Sequence, residues 1–177
     1  MNKFLIKKNL LIIFVGAVFC NLNLFAAYQS AITTDPLDLI KSNRFNIRYE
    51  HLLEKNNSIT AEFLFDNNYS DVESSGFLLG ASYRWYLRDV FPIKTTALEG
   101  FAVGPFARLG FYNQKITVNS DNDFALEIGG EVIYKWVFGG FAVEPIIRIG
   151  FKALGPGYYS KGFYAWPGVS IGYAWSK

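Results

Sequence analysis

The chain has 177 residues, of which 51% are hydrophobic and 18% are aromatic, and its formal net charge is +2. Its one cysteine, Cys20, excludes a disulfide framework and a cysteine-ligated metal centre. The positive charge comes from three lysines near the N-terminus, and without them 14 basic residues face 15 acidic ones. No basic stripe that would favour nucleic acid remains.

The N-terminal segment has the organisation of a secretory signal peptide. Three lysines precede an apolar run from Leu10 to Phe19, and two alanines close the segment. The apolar run is too short for a helix that spans a membrane. We therefore predict an exported protein with a signal peptide at 1–27 and one mature domain at 28–177.

The mature chain alternates between two kinds of residue with a period of two, which is typical of β-strands. From Phe141 to Phe151, one phase is apolar and the other is small or charged. Such stretches have about the 9–11 residues that a tilted strand needs to cross a bilayer. Seven strands are predicted in this way: Arg44–Leu52, Ile59–Asp66, Phe77–Leu87, Phe101–Tyr112, Phe124–Val137, Phe141–Phe151 and Phe163–Trp175. Because single-chain bacterial barrels have an even strand number, we assign Tyr28–Thr34 as the first strand.

The connections between the strands alternate in length, as they do in outer-membrane barrels. If the last strand ends on the periplasmic side, the long polar or glycine-rich connections lie outside the cell, and tight turns lie on the periplasmic side. The external connections are Asn67–Ser75, Asn113–Asp123 and Lys152–Gly162, and the periplasmic turns are Glu54–Asn57, Phe138–Gly140 and the longer Arg88–Glu99. The pattern predicts an all-β, eight-stranded, antiparallel up-and-down transmembrane barrel.

Alternation alone does not say which phase faces the membrane. A secreted barrel of the lipocalin type, with an apolar interior and a wet exterior, is the alternative. The polar phase is rich in glycine between a few charged residues, which suits a narrow interior better than a solvated surface. We therefore predict that this phase lines the lumen. Its charged residues are Arg48, Glu50, Glu62, Asp66, Arg84, Arg108, Glu127, Glu131, Lys135, Glu144 and Arg148.

The interior of an eight-stranded barrel is just wide enough to be filled by side chains. Five bases and six acids in that space predict a buried ion-pair network instead of a water column. A gated ion path lined by charge is the alternative. On the apolar phase, aromatic pairs near the predicted periplasmic ends indicate a lipid-interface girdle: Tyr83, Trp85, Tyr134, Trp136, Tyr173 and Trp175.

Neither a catalytic constellation nor a transition-metal site is predicted. His51 is the one histidine, and lipid A deacylases of the outer membrane have a serine two residues after theirs, where this chain has Leu53. Calcium needs only oxygen ligands. Asp66, Asp71 and Glu73 surround one connection and two further aspartates lie in another, but such residues are also usual in solvated turns.

Several stretches carry a resemblance to a known group of proteins: Asp35–Leu37, Asn46–Glu50, Gly80–Leu87 and Glu99–Phe106. On these residues, the chain resembles the uncharacterised small outer-membrane barrels of the OmpX and OmpA transmembrane-domain type. The resemblance implies the eight-stranded fold and a structural, adhesive or immune-evasive surface role, and its motifs describe architecture rather than activity.

Barrels of this group close with a strand whose terminal aromatic residue is read by the outer-membrane insertion machinery. Trp175 resembles that signal, although Ser176 and Lys177 follow it. The expected partners are this machinery, outer-membrane lipids and an extracellular ligand at the loops, for a monomer without cofactor or metal. The sequence thus predicts a non-enzymatic structural or surface-interaction protein in the outer membrane of a Gram-negative-type bacterium. A lipid-modifying enzyme and a narrow pore are the alternatives.

Overall fold

The alternating phases of the chain pair into one closed sheet. The computed structural model describes residues 28–68, 74–91, 98–116, 119–154 and 162–176, so the predicted signal peptide lies outside the described residues. Each strand pairs antiparallel with the next, and the last strand pairs with the first. The eight-stranded up-and-down barrel predicted from the sequence is therefore confirmed.

The strands match the predicted ones closely in position. The elements in chain order are β1 (Ser30–Thr34), α1 (Pro36–Ser42), β2 (Arg44–Glu54), β3 (Asn57–Asn68), β4 (Ser74–Tyr86), β5 (Gly100–Ile116), β6 (Asn119–Phe138), β7 (Phe141–Leu154) and β8 (Gly162–Trp175). Within the described part of the chain, no helix is long and apolar enough to cross a membrane.

Strands β5 and β6 run further than predicted. The predicted external connection Asn113–Asp123 is largely a paired ladder, which continues to the pair formed by Ile116 and Asn119. Antiparallel pairing needs only backbone donors and acceptors, so it continues past the point where the apolar alternation ends. The apolar alternation therefore marks only the membrane-facing part of β5 and β6, and both strands extend beyond it.

Helix α1, between β1 and β2, was not predicted. Asp35 caps its N-terminus, because its Oδ1 accepts hydrogen bonds from the backbone N–H groups of Leu37 (2.9 Å) and Asp38 (3.3 Å). Pro36 occupies the first helical turn, where its missing N–H costs nothing. The helix ends at Asn43, whose φ of 51° is left-handed. We read the Asp-Pro pair only as a strand breaker, although the same pair also begins helices.

Strand β1 is too short to close the wall over its whole height. It pairs with β2 only from Ser30 to Thr33, and with β8 only from Ser30 to Thr34. Above that level, helix α1 packs against both β2 and β8. The outer half of this seam is therefore closed by a helix in place of a strand.

The two phases point as predicted, with the apolar one outward. Charged residues of the polar phase, such as Arg48 and Glu144, are buried. The outward phase exposes large apolar side chains around the whole wall, among them Ile47, Phe63, Leu79, Leu109, Ile128 and Ile149. An apolar exterior of this extent is a lipid-facing surface, so the lipocalin-type arrangement is excluded.

Candidate functional site: the charged lumen

Charged side chains from strands β2 to β7 meet in the interior of the barrel. Five bases face five glutamates, and each base forms ion pairs with at least two of the acids. The bases are Arg48, Arg84, Arg108, Lys135 and Arg148, and the acids are Glu50, Glu62, Glu127, Glu131 and Glu144. All ten were assigned to the lumen from the sequence, and the structure brings all ten together.

Arg84 forms ion pairs with three acids in the part of the network nearer the end where β1 begins and β8 ends. Its guanidinium reaches Glu50 (Nη1 to Oε2, 2.5 Å), Glu131 (Nε to Oε1, 2.6 Å) and Glu144 (Nη1 to Oε2, 3.1 Å). Lys135 joins Glu50 and Glu144 from the other side, with its Nζ 2.9 Å from Glu144 Oε2. Arg84, Lys135 and Glu144 each have an exposed fraction of 0%. The planar guanidinium fork suits such a multidentate role.

Glu62 forms ion pairs with three arginines in the part of the network nearer the opposite end of the barrel. It accepts Arg48 Nη2 at 3.0 Å, Arg108 Nη2 at 3.0 Å and Arg148 Nη1 at 3.2 Å. The face of Phe106 lies beneath two of these groups, with its centroid 5.5 Å from the Arg108 Cζ and 5.7 Å from that of Arg148. The Phe106 ring therefore packs against the guanidinium groups of Arg108 and Arg148, and both groups keep their ion pairs with Glu62.

Neutral hydroxyl groups complete the hydrogen bonding of the buried acids. Glu50 Oε1 accepts hydrogen bonds from Ser58 Oγ (2.6 Å) and from the Tyr86 hydroxyl (2.8 Å). The Tyr164 hydroxyl donates to Glu127 Oε2 at 2.9 Å. Buried ion pairs are tolerated when their remaining lone pairs are satisfied in this way.

An apolar floor, which is a cluster of buried apolar residues, lies in the barrel at the end where β1 begins and β8 ends. Leu98, from the connection between β4 and β5, has an exposed fraction of 0%, and its N–H donates to the Tyr28 carbonyl at 3.1 Å. The other buried members of this cluster are Ala31, Tyr86, Ala102, Ile133, Ala142, Ile146 and Ala174. Leu98, at the end of the long predicted periplasmic connection, thus belongs to this buried cluster.

At the opposite end, an ion pair lies above the network. Asp66, the sixth predicted acid, pairs with Arg44 (Nε to Oδ2, 2.8 Å) and accepts the Tyr112 hydroxyl at 3.3 Å. The guanidinium of Arg44 also lies over the Trp166 ring, 5.4 Å from its centroid. We missed Arg44 as a lumen residue, although it is four residues before Arg48 and in the same phase.

The calcium site considered around two external connections receives no support from the described residues. Asp66 is engaged in an ion pair. Asp71 and Glu73 lie outside the described residues, as do the side chains of Asp121 and Asp123.

The predicted aromatic pairs lie side by side on the outer face. Their ring centroids are 5.0 Å apart for Tyr83 and Trp85, 4.6 Å for Tyr134 and Trp136, and 6.5 Å for Tyr173 and Trp175. Tyr49, which we did not assign to the girdle, extends it, with its ring 6.1 Å from that of Trp175. Each pair lies near the end of the barrel where β1 begins and β8 ends.

A second aromatic set lies toward the opposite end of the wall, and we did not predict it. The rings of Phe77 and Phe111 are 6.1 Å apart, those of Phe111 and Phe124 are 5.6 Å apart, and those of Phe151 and Phe163 are 5.1 Å apart. This second set could have been predicted from the sequence, because these phenylalanines lie at the external ends of the predicted strands.

A serine lies against the one histidine of the chain. Ser30 Oγ is 2.9 Å from His51 Nδ1 and 3.2 Å from the Tyr49 hydroxyl. Leu53 occupies the position at which a serine was sought, whereas the observed partner lies 21 residues before the histidine, on the neighbouring strand β1. Ser30 is buried, and no carboxylate among the described residues hydrogen-bonds to the His51 ring. Without an orienting acid, we interpret this contact as a link that fastens β1 to β2.

Two solved structures share this fold. Neisserial surface protein A (NspA) has 10% sequence identity and a TM-score of 0.54, over 83% of this chain and 94% of that one. The N-terminal β-barrel domain of Pseudomonas aeruginosa OprF has 11% identity and a TM-score of 0.51, over 84% of this chain and 98% of that one. No protein-family model matches the chain, and no curated protein does. At such identities, the likeness concerns the fold, which is that of small eight-stranded outer-membrane barrels.

Proposed function

We propose that the chain is a non-enzymatic outer-membrane barrel with a structural or surface-interaction role, exported by a signal peptide at 1–27. The observation that carries the proposal is the buried ion-pair network, in which Arg84, Lys135 and Glu144 meet with no exposed surface. The fold shared with NspA, whose name describes a surface protein, supports the outer membrane as the location. The external connections and the outer end of the β5–β6 hairpin are the parts available to a partner outside the cell.

The buried ion-pair network argues against the pore. Ions would have to cross the apolar floor at Leu98 and then the layer in which Arg84 holds three carboxylates. Removing one partner from a buried ion pair costs about 3–5 kcal/mol, and a continuous water path would separate several pairs at once. The network therefore stabilises the wall and blocks the route through it.

The arrangement of the polar groups argues against an enzyme that modifies lipids. The glutamates lie inside the barrel, in ion pairs, where a lipid on the outer face does not reach them. On the outer face, Ser30 and His51 are the candidate nucleophile and base, and Ser30 has an exposed fraction of 6%. Nucleophilic catalysis needs an accessible hydroxyl group with an oriented base.

We expect the purified, refolded protein to release no fatty acid from phospholipids or from lipid A. The measurement is mass-spectrometric detection of lysolipid after incubation in mixed micelles, with the Ser30→Ala variant run in parallel. Wild type and Ser30→Ala should both remain at the level of protein-free micelles. Turnover by the wild type that disappears in Ser30→Ala would make the chain an enzyme and would contradict the proposal.

A further inference from the structure

The polarity of helix α1 is inverted relative to that of a helix on a water-exposed surface. Asp35, which caps the helix, and Asp38 have exposed fractions of 4% and 5%, whereas those of Leu39 and Ile40 are 50% and 78%. In water, a surface helix buries its apolar residues and exposes its polar ones. The strands of the wall show the same inversion, with charged residues buried and large apolar residues exposed. Helix α1 therefore presents the same kind of face to its surroundings as the lipid-facing strands do.

The exposed apolar surface continues from α1 onto both of the strands that flank it. Helix α1 packs against β2 and β8. Phe45, near the start of β2, has an exposed fraction of 45%, and Phe163, near the start of β8, has one of 86%. A contiguous apolar surface of this kind marks a place where lipid or protein is bound. Because the rest of the wall faces lipid, the same environment is expected to extend across the seam.

Backbone groups at both ends of α1 find their partners within the wall. At the N-terminus, Asp35 Oδ1 accepts two N–H groups of the first turn, and the Asp35 N–H donates to Asn46 Oδ1 at 3.0 Å. At the C-terminus, the Asn43 N–H donates to the Asp38 carbonyl, and the Asn67 N–H donates to the Asn43 carbonyl at 3.3 Å. In hydrocarbon, no water replaces a missing partner of a backbone group, so a segment in lipid depends on such contacts.

The polar side of α1 is held tightly against the strands. Asn46 Nδ2 of β2 donates to Asp38 Oδ2 at 3.1 Å. On the β8 side, a Cβ atom at Gly168 would lie 2.1 Å from Asp35 Oδ2, so only a glycine leaves room for this carboxylate. Helix α1 is therefore a part of the wall, and its apolar residues are the part that remains outside.

We propose that α1 is a lipid-docking helix, whose Leu39 and Ile40 lie among the acyl chains of the outer leaflet. Lys41 follows them in the last helical turn and is exposed. The stem of a lysine lies along apolar surface while its ammonium group reaches the headgroups, so Lys41 fits the edge of the hydrocarbon layer. The proposal rests on the proposed location in an outer membrane, and it adds that the hydrocarbon extends to the helical part of the wall.

The direct test is site-directed spin labelling of the full chain, refolded in phosphatidylcholine vesicles. Cys20 is replaced by serine, so that Ile40→Cys gives a single labelled site. The measurement compares the collision rate of the nitroxide with oxygen, which concentrates in hydrocarbon, and with a nickel chelate, which stays in water. Leu109→Cys, on the outer face of β5, is the matched lipid reference, and Lys55→Cys, in the turn between β2 and β3, is the water reference.

We expect the oxygen-to-nickel ratio at residue 40 to be close to that at residue 109 and well above that at residue 55. Leu39→Cys should give the same result, and it replaces Ile40→Cys if that variant does not fold. A ratio at residues 39 and 40 like that at residue 55 would overturn the proposal, because α1 would then face water.

Two further outcomes are distinguishable in the same experiment. A water-like ratio at residue 109 would contradict the membrane barrel itself, whereas a water-like ratio at residue 40 alone would overturn only the role of α1. Spin–spin broadening at residue 40 that disappears on dilution with unlabelled protein would place a second copy of the chain on α1. That result would also overturn the docking of lipid.

Discussion

Replacing Arg84 with alanine is expected to lower the free energy of unfolding by about 3–5 kcal/mol. The substitution removes the group that joins Glu50, Glu131 and Glu144. It leaves these three buried carboxylates with only their remaining partners, Lys135, Arg148 and Arg48. The measurement is equilibrium unfolding in urea, with the protein refolded in lipid vesicles.

Arg44→Ala is the matched control for that experiment. Arg44 lies near the external end, with a side-chain exposed fraction of 21% and an ion pair to Asp66. Arg44 is partly exposed although Asp66 is buried, and it has fewer acidic partners than Arg84, so its loss should cost less, about 1–3 kcal/mol. If Arg84→Ala and Arg44→Ala destabilise the barrel equally, the buried network stabilises the barrel no more than a partly exposed ion pair does.

Replacing Ala107 with arginine is expected to cost about 2–4 kcal/mol, the penalty for a charge on the lipid face near the bilayer midplane. Ala107 is exposed on the outer face of β5, between Ala81 and Ile128 on the neighbouring strands. The next residue, Arg108, points the other way and is buried in the lumen. The same urea experiment in vesicles measures the loss.

The control for Ala107→Arg is the same substitution further along the same strand. Asn113 is exposed toward the external end of β5, and Asn113→Arg should cost only about 0–1 kcal/mol, as charges do near the interface. If Ala107→Arg is tolerated as well as Asn113→Arg, that part of the outer face does not lie in the hydrocarbon of the bilayer.

The faces of the barrel were predictable because the side-chain period of a strand is two. Ala107 and Arg108 are adjacent in sequence, and the alternation alone assigns one to lipid and the other to the lumen. Some ion pairs follow from the hairpin register as well. Arg48 lies directly opposite Glu62, and Arg108 lies opposite Glu127.

The remaining ion pairs were not predictable from the sequence. Arg84 reaches Glu50, Glu131 and Glu144, which are 34, 47 and 60 residues away along the chain. Which side chains meet across a lumen depends on the tilt and stagger of all eight strands, and alternation does not contain that information.

Helix α1 and the Ser30 contact of His51 were missed for related reasons. Asp35 before Pro36 is a local sequence pattern that occurs at the start of turns as well as helices. Here the helix packs against β2 and β8, and this contact cannot be seen in the local sequence. The contact between Ser30 and His51 depends on the β1–β2 register, which a search of nearby sequence does not sample.

The most direct test of the account is the conductance of the protein in a planar lipid bilayer. We propose that Arg84, Lys135 and Glu144 block the lumen above the Leu98 floor. The proposal predicts a baseline without stable current steps, under conditions in which a general porin gives them. Stable, ion-selective steps that change when Lys135 is replaced by glutamate would show an open path through the network, and they would contradict the account.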